Sequence, residues 1–152
     1  VGDNANDKQY RAFLYFNTNA MPDNAAIFKV TLKIRLISIT GTDPFTTHGQ
    51  LRADINEGVF GGGPLENSDF EAAASQSNIG NFTLIGGTAD WYKIAIGAAN
   101  FQYINLVGVT QFRLLFATDD NDDTSADFIE FYSGEAAANA NRPQLIIEYV
   151  LP

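Results

Sequence analysis

The sequence contains no cysteine and only one histidine among its 152 residues. Without cysteine the chain forms no disulfide and offers no thiolate nucleophile. One histidine cannot supply the three or four nitrogen or sulfur ligands of a zinc site. His48 lies in the turn-like segment DPFTTHGQ without a GxSxG motif elsewhere, so no serine triad is predicted and a structural or surface role is expected. Glu57 and Asp90 are isolated acids without a partner in the sequence, so no glycosidase pair is predicted either, and we expect no enzymatic activity.

Positive charge and long apolar runs are also scarce. The chain has 18 acidic and nine basic side chains, which gives a formal net charge of -9. Such a chain repels phosphate backbones and anionic lipid, so nucleic acid is not expected as a partner. No apolar run reaches the roughly 20 residues that span a bilayer, which argues against membrane insertion. The N-terminus VGDNANDKQY has no leader pattern, so we expect a soluble chain that, if exported, has already been processed.

What the sequence does contain is alternation with a period of two. In the run IFKVTLKIRLISIT, Val30, Leu32, Ile34 and Leu36 alternate mainly with polar residues, as in a strand with one buried face. Further strand-like runs are YRAFLYF, QFRLLFA, WYKIAI and QLIIEYV, and the turn signals between them are MPDNA, TGTDP, FGGGP, GGTAD and SGE. This pattern lacks the rhythm of βαβ units.

These runs predict an all-β protein, an antiparallel two-sheet sandwich of the jelly-roll type, with residues 1–152 in a single domain. The segment ENSDFEAAASQSN is the one candidate helix, because Ser68 and Glu71 have the spacing of a capping box. The same residues also fit the start of a strand.

An acidic stretch, FATDDNDDTSADFIEFYSG, stands between two of the predicted strands. Oxygen-bearing residues fall at steps one, three, five, seven, nine and twelve of a calcium-loop ladder: Asp119, Asn121, Asp123, Ser125, Asp127 and Glu130. Asp119, Asn121, Asp123 and Asp127 are therefore the predicted calcium ligands. Step six is Thr124 rather than glycine, and the flanks are strands, so a helix-loop-helix calcium hand is excluded.

The alternative interpretation of this stretch is a solvated turn, in which Asp and Asn serve turn geometry alone. A second acidic cluster, GDNANDK at residues 2–8, is weaker evidence for a metal because terminal loops are commonly acidic and polar. The sequence leaves both interpretations open.

Aromatic residues provide candidates for stacking on sugar rings, with Tyr92, Tyr103 and Tyr132 as the predicted glycan-binding residues. Trp91 is interpreted as a core residue, which by strand alternation turns Tyr92 toward the surface. Asn81 begins the triplet NFT, an acceptor pattern for N-glycosylation that matters only in an exported protein.

Most of the chain resembles a known family. The segments YRAFLYFNTNAMPDNAAIFKVTLKIRL, ENSDF, ADWYKIAI and TQFRLLFATDDNDDTSADFIEFYSGEAAANANRPQLIIEY resemble the DNRLRE-type, carbohydrate-binding-module-like domains of secreted and cell-surface proteins of bacteria and archaea. The string that names that family is absent here. The resemblance implies a β-sandwich without a catalytic centre that serves glycan binding, adhesion or the building of surface structures.

Members of that family usually have about one further strand before the position of Val1. We therefore expect that strand to have been removed, or to be supplied by another subunit that adds a strand to the sheet. The predicted function is an extracellular, non-catalytic structural or adhesive module, a subunit of a surface assembly or filament built by strand-edge contacts. Its expected partners are other copies of the chain or a neighbouring domain of a larger surface protein. The alternative is a carbohydrate-binding module that recognises a polysaccharide.

Overall fold

A computed structural model describes all 152 residues and shows an all-β architecture with antiparallel strands in two sheets. The strands are β1 (Gly2–Asn4), β2 (Lys8–Tyr10), β3 (Ala12–Asn17), β4 (Ala26–Thr40), β5 (Leu51–Glu57), β6 (Thr83–Leu84), β7 (Trp91–Ile96), β8 (Val109–Phe116), β9 (Phe128–Phe131) and β10 (Gln144–Val150). One short helix, α1 (Pro44–Thr47), and three 3-10 turns (Asn67–Phe70, Ala98–Tyr103 and Asn139–Asn141) complete the secondary structure.

The two sheets differ in width. The large sheet has seven strands, in the order β2-β1-β9-β4-β7-β6 with β10 also paired to β4, and the small sheet has three, in the order β3-β8-β5. The long strand β4 pairs with β10, β7 and β9 along different parts of its length. Most connections between consecutive strands pass from one sheet to the other, so the two sheets are tied together at both ends.

The hydrophobic core lies between the sheets and follows the alternation of the sequence. Val30, Leu32 and Ile34 of β4 point inward, as predicted, and are at most 1% exposed. Phe112 and Leu114 of β8 meet them from the small sheet and are equally buried. In β4, β5, β7 and β8 every second residue enters this core, because successive side chains point to opposite faces.

The long connection between β5 and β6 covers the outer face of the small sheet, and a buried ion pair anchors it. We call residues 58–75 of this connection the covering segment. The guanidinium of Arg113 in β8 donates to Oδ2 of Asp54 in β5 at 3.1 and 2.7 Å. It also donates to the backbone carbonyls of Asp69, Phe70 and Ala72. One arginine thus neutralises a buried carboxylate and satisfies three carbonyls of the covering segment, which otherwise has little regular structure.

The structure corrects one local expectation and shows where the acidic stretch lies. The candidate helix in ENSDFEAAASQSN is a single 3-10 turn at Asn67–Phe70, and its capping box is formed by Glu66 and Asp69 instead of Ser68 and Glu71. The acidic stretch connects the two sheets, because β8 belongs to the small sheet and β9 to the large one. It is a crossover between sheets.

The Arg113–Asp54 pair yields a test of how the covering segment is held. We expect Arg113→Ala to lower the free energy of unfolding by about 3 to 5 kcal/mol, because it leaves a buried carboxylate and three carbonyls unpaired. Urea unfolding followed by circular dichroism measures this. Lys29→Ala, which removes the exposed pair with Glu148, is the control and is expected to cost about 1 kcal/mol or less. Equal losses for the two variants would contradict the anchoring role.

Candidate functional site

Two edge strands, β3 and β10, lie on one side of the sandwich with unpaired backbone edges. β3 pairs only with β8, and β10 pairs only with β4. No other backbone hydrogen bond reaches residues 12–17 or 144–150. Neither strand contains proline or lysine, the residues that commonly protect an exposed edge from pairing.

The opposite side of the small sheet shows what a closed edge looks like. The free edge of β5 is covered by residues 76–82, whose backbone exchanges hydrogen bonds with Leu51, Ala53 and Ile55. Ile79 and Phe82 of that segment fill the core and are 6% and 2% exposed. No segment of the chain does the same for β3.

A cavity opens between the first half of β3 and the large sheet. It has a volume of about 500 Å³, and twelve of its fourteen lining residues are hydrophobic. Ala12 and Leu14 of β3 line one wall, and Ile129 and Phe131 of β9 line the other. Glu130 is the only charged residue in the lining.

A second cavity of about 250 Å³ lies farther along the same strand. Phe16 of β3 and Met21 after it form one wall, and Leu145 and Ile147 of β10 form the other. The two cavities follow β3 from end to end, and we refer to them together as the lateral groove. The lateral groove is an apolar channel. The unpaired backbone edge of β3 runs along one side of it, and the unpaired edge of β10 lies beside the second cavity.

Core-facing residues along the lateral groove remain partly exposed. Ala12, Leu14 and Phe16 point inward and pack against the core, yet all three are half-buried. Their neighbours in β8, by contrast, are fully buried: Phe112, Leu114 and Phe116 are at most 2% exposed. The lateral groove is therefore an uncovered part of the core.

The acidic stretch does not gather its four predicted calcium ligands at one point. Asp119 pairs with Arg11 at 3.4 Å, and Asn121 donates to Asp123 at 2.9 Å. Asp127 is buried elsewhere, where its Oδ1 accepts from the backbone N–H of Thr42 at 2.7 Å. No group of three or more His, Cys, Asp or Glu side chains is arranged to hold a metal ion. Calcium binding stays a prediction.

Sequence reasoning missed a polar cluster at the base of this stretch. His48, expected to have a surface or structural role, is fully buried, and its Nε2 lies 3.0 Å from Oδ2 of Asp3. The two atoms are close without the alignment of a hydrogen bond. Asp3 belongs to the acidic N-terminal cluster at residues 2–8, and the acidic composition of that cluster was the only sign in the sequence that these residues could form a site. Its Oδ1 accepts from the N–H of Asp127 at 3.1 Å.

A glycine allows the backbone to approach this cluster closely. Gly41 has a positive φ of 74°, and a Cβ there would overlap the carbonyl oxygen of Ala126, so only glycine allows this approach.

Burial raises the pKa of Asp3, but the hydrogen bond from Asp127 and the contact with His48 outweigh it and lower the pKa overall. The pKa of Asp120 is raised: the N–H of Asp122 lowers it, but desolvation, Asp3 and nearby negative charges outweigh that bond.

The structure reverses the assignment of Trp91 and Tyr92. Tyr92 faces the core and stacks on Phe45 of α1 at a centroid distance of 5.2 Å, and this burial raises its pKa. Trp91 lies on the outer face of the large sheet, partly exposed, with Lys33 Nζ 4.9 Å from its ring centroid. Tyr92 shares its face of β7 with Ile94 and Ile96, which are 2% and 5% exposed, so this is the inner face of the strand.

The other predicted surface residues are placed as follows. Tyr103 ends a 3-10 turn and packs half-buried against the core. Tyr132 is half-buried in the lining of the larger cavity, with the guanidinium of Arg35 5.8 Å from its ring centroid. The three tyrosines therefore do not stand free as sugar platforms. Asn81 is exposed, as an acceptor of glycosylation has to be.

Comparison with known proteins assigns the chain to no family. No family model matches the chain, and neither a curated protein nor a solved structure is significantly similar to it. The resemblance to DNRLRE-type domains stays a prediction from the quoted segments. None of the helices has the length and apolar character needed to cross a membrane.

Partial exposure along the lateral groove predicts unequal effects of equal substitutions. Leu114→Ala is expected to cost about 3 kcal/mol in free energy of unfolding, a usual figure for a fully buried leucine. Leu14→Ala removes the same atoms from the half-buried position on β3 and should cost about half as much. Urea unfolding of the monomeric chain measures both. Equal costs would show that Leu14 is covered in solution and that the groove is closed.

Proposed function

We propose that this protein is a non-catalytic structural subunit of an extracellular assembly, which polymerises by accepting a β-strand from another copy into the lateral groove. The observation that supports it most is the uncovered core between β3 and β10. An extended segment placed there would pair its backbone with a free edge and bury alternate apolar side chains in the two cavities.

The partner we assign is a second copy of the same chain. The groove lining is apolar apart from Glu130, so it selects an extended segment with apolar side chains at alternate positions. The strands of this protein have that pattern themselves. A contact in which a segment of one copy enters the groove of the next is heterologous, and such contacts generate open filaments when the rotation between copies does not close.

The extracellular location and the finer fold class are part of the same proposal. The location rests on the resemblance to domains of secreted and cell-surface proteins. The jelly-roll topology is supported by the two antiparallel sheets and by the connections that pass between them. Glycosylation at the exposed Asn81 fits an exported protein.

Two adjacent isoleucines of β10 provide a matched test of strand acceptance. Ile147 lines the lateral groove, whereas Ile146 points to the outer face and is 42% exposed. We expect Ile147→Glu to abolish assembly, because a carboxylate in the groove opposes the entry of an apolar strand. Ile146→Glu carries the same charge on the same strand and should still assemble.

Assembly is followed by size-exclusion chromatography and negative-stain electron microscopy over a range of protein concentrations. Filaments from the wild type and Ile146→Glu, with a folded monomer from Ile147→Glu, are the expected result. If both variants assemble as the wild type does, or if the wild type stays monomeric at every concentration, groove-mediated polymerisation is wrong.

Carbohydrate binding is the second candidate function, and the position of Trp91 favours it. The indole lies on the outer face of the large sheet beside Lys33 and Arg35, and Arg35 is held by Asp90 at 2.7 Å. An aromatic ring flanked by hydrogen-bonding side chains is a common way to bind a sugar. The lateral groove plays no part in this function.

Substitution of Trp91 tests this second candidate. If a polysaccharide stacks on the indole, Trp91→Ala should weaken binding by about tenfold, since an aromatic contact contributes about 1 kcal/mol or more. Tyr92→Phe, which keeps the stacking on Phe45, is the control and should bind normally. Affinity electrophoresis against a panel of polysaccharides is the measurement, and unchanged mobility of Trp91→Ala in a gel that retards the wild type would contradict it.

A further inference from the structure

Four of the nine basic side chains lie together on the outer face of the large sheet, and we call them the basic face. They are Lys29, Lys33 and Arg35 of β4 and Lys93 of β7. Their neighbours along the strands, such as Leu32 and Ile94, are buried on the opposite side of the sheet. In a chain with a net charge of -9, almost half of the positive charge is therefore collected on one surface.

Two lysines of the basic face have no acidic partner. Lys33 and Lys93 stand directly opposite each other where β4 pairs with β7. Lys29 and Arg35 each pair with an acidic side chain, but none of the ion pairs of the chain includes Lys33 or Lys93. Like charges directly opposite each other destabilise a sheet, so folding does not account for this pair. An anionic group on the two ammonium groups would remove the repulsion.

The acidic stretch presents the complementary charge. Four aspartates fall within residues 119–123. Asp119 pairs with Arg11, whereas Asp122 and Asp123 are exposed and form no ion pair. The carboxylate of Asp123 accepts hydrogen bonds only from within the stretch. The tip of the stretch therefore exposes two adjacent negative charges without a cation.

The two surfaces match in spacing as well as in charge. Cα atoms of opposite residues in antiparallel strands lie about 5 Å apart, and those of adjacent residues in a chain about 3.8 Å apart. Neighbouring aspartates can thus bring one carboxylate to each of the two opposed lysines. Within one chain no ion pair joins the tip to the basic face, so the contact requires a second copy.

We propose that Asp122 and Asp123 of one copy bind Lys33 and Lys93 of a second copy, and that this contact joins filaments side by side. Each copy offers both surfaces, so the contact is heterologous and can repeat. Exposed ion pairs contribute little individually, so a single contact is weak, but repetition along two filaments adds its effect many times. The side-by-side arrangement rests on the proposed function, whereas the contact between two copies does not.

Nuclear magnetic resonance of the monomeric chain measures the contact without filaments. Trp91 is the only tryptophan, and its indole N–H reports on the basic face because Lys33 Nζ lies 4.9 Å from the ring centroid. In isotope-labelled Ile147→Glu we expect this signal and the amides of residues 122–123 to shift as the protein concentration approaches about 1 mM, as for a weak contact of exposed charges. Sodium chloride should reverse the shifts, because it screens exposed charges. If the wild type itself stays monomeric, the titration is made with it.

Charge reversal identifies the residues in contact. Lys33→Glu with Lys93→Glu places acids on both surfaces, and Asp122→Lys with Asp123→Lys places lysines on both. Each double variant alone should lose the concentration-dependent shifts. An equimolar mixture of the two should regain them, because opposite charges face each other again.

A third double variant controls for net charge. Asp23→Lys with Glu135→Lys changes the charge by the same amount as the substitutions in the acidic stretch, at two exposed acids outside it. This variant should keep the shifts. Absent shifts in the unsubstituted surfaces, or a mixture that does not regain them, would overturn the proposal. An indole signal that responds to polygalacturonate but not to protein concentration would overturn it too, and would make the basic face a site for acidic polysaccharide.

Electron microscopy tests the side-by-side arrangement. Wild-type filaments should form bundles at low salt, and filaments of Lys33→Glu with Lys93→Glu should lie singly. Single filaments of the wild type would contradict the bundling while leaving assembly through the lateral groove intact. Absence of filaments would contradict the proposed function and the bundling together, and the titration decides the contact between two copies in either case.

Discussion

The small sheet has only three strands, against seven in the large sheet, and its β3 edge leaves part of the core uncovered. On the β5 side, residues 76–82 supply the missing backbone partner and place Ile79 and Phe82 into the core. On the β3 side no segment of the chain does so, and the apolar residues of β3 and β10 stay partly exposed. The lateral groove follows from this imbalance, and the proposed assembly follows from the groove.

Buried polar groups determine which side is closed. The Arg113–Asp54 pair binds the covering segment to the outer face of the small sheet, and the same chain segment continues into the residues that protect β5. At the other end, Asp3 and Asp127 bond to each other and hold the first strand against β9. The buried polar contacts of Arg113 and Asp3 thus hold the covering segment and the N-terminal strand in place, whereas the outer backbone edges of β3 and β10 have no hydrogen-bond partner.

Alternation could reveal the strands but not their neighbours. The inward residues of β4, Val30, Leu32 and Ile34, could be predicted because burial of one face imposes a period of two. The edge position of β3 could not, because it depends on a pairing of Ala12 with Leu114 that is distant in sequence. The assignment of Trp91 to the core was wrong because it followed the size of the indole, whereas Ile94 and Ile96 place the buried face of β7 on the side of Tyr92. The contact between Asp3 and His48 also joins residues that are distant in sequence, so the sequence showed only that the N-terminal cluster is acidic.

Hydrogen–deuterium exchange, compared between monomeric and assembled protein, tests the central claim most directly. Amides on a free strand edge exchange readily, and an added strand protects them because their N–H groups become hydrogen-bonded. If a strand enters the lateral groove, the residues 12–17 and 144–150 should gain the largest protection on assembly. An assembly in which these two strands exchange as fast as in the monomer, while other surfaces become protected, would contradict the account.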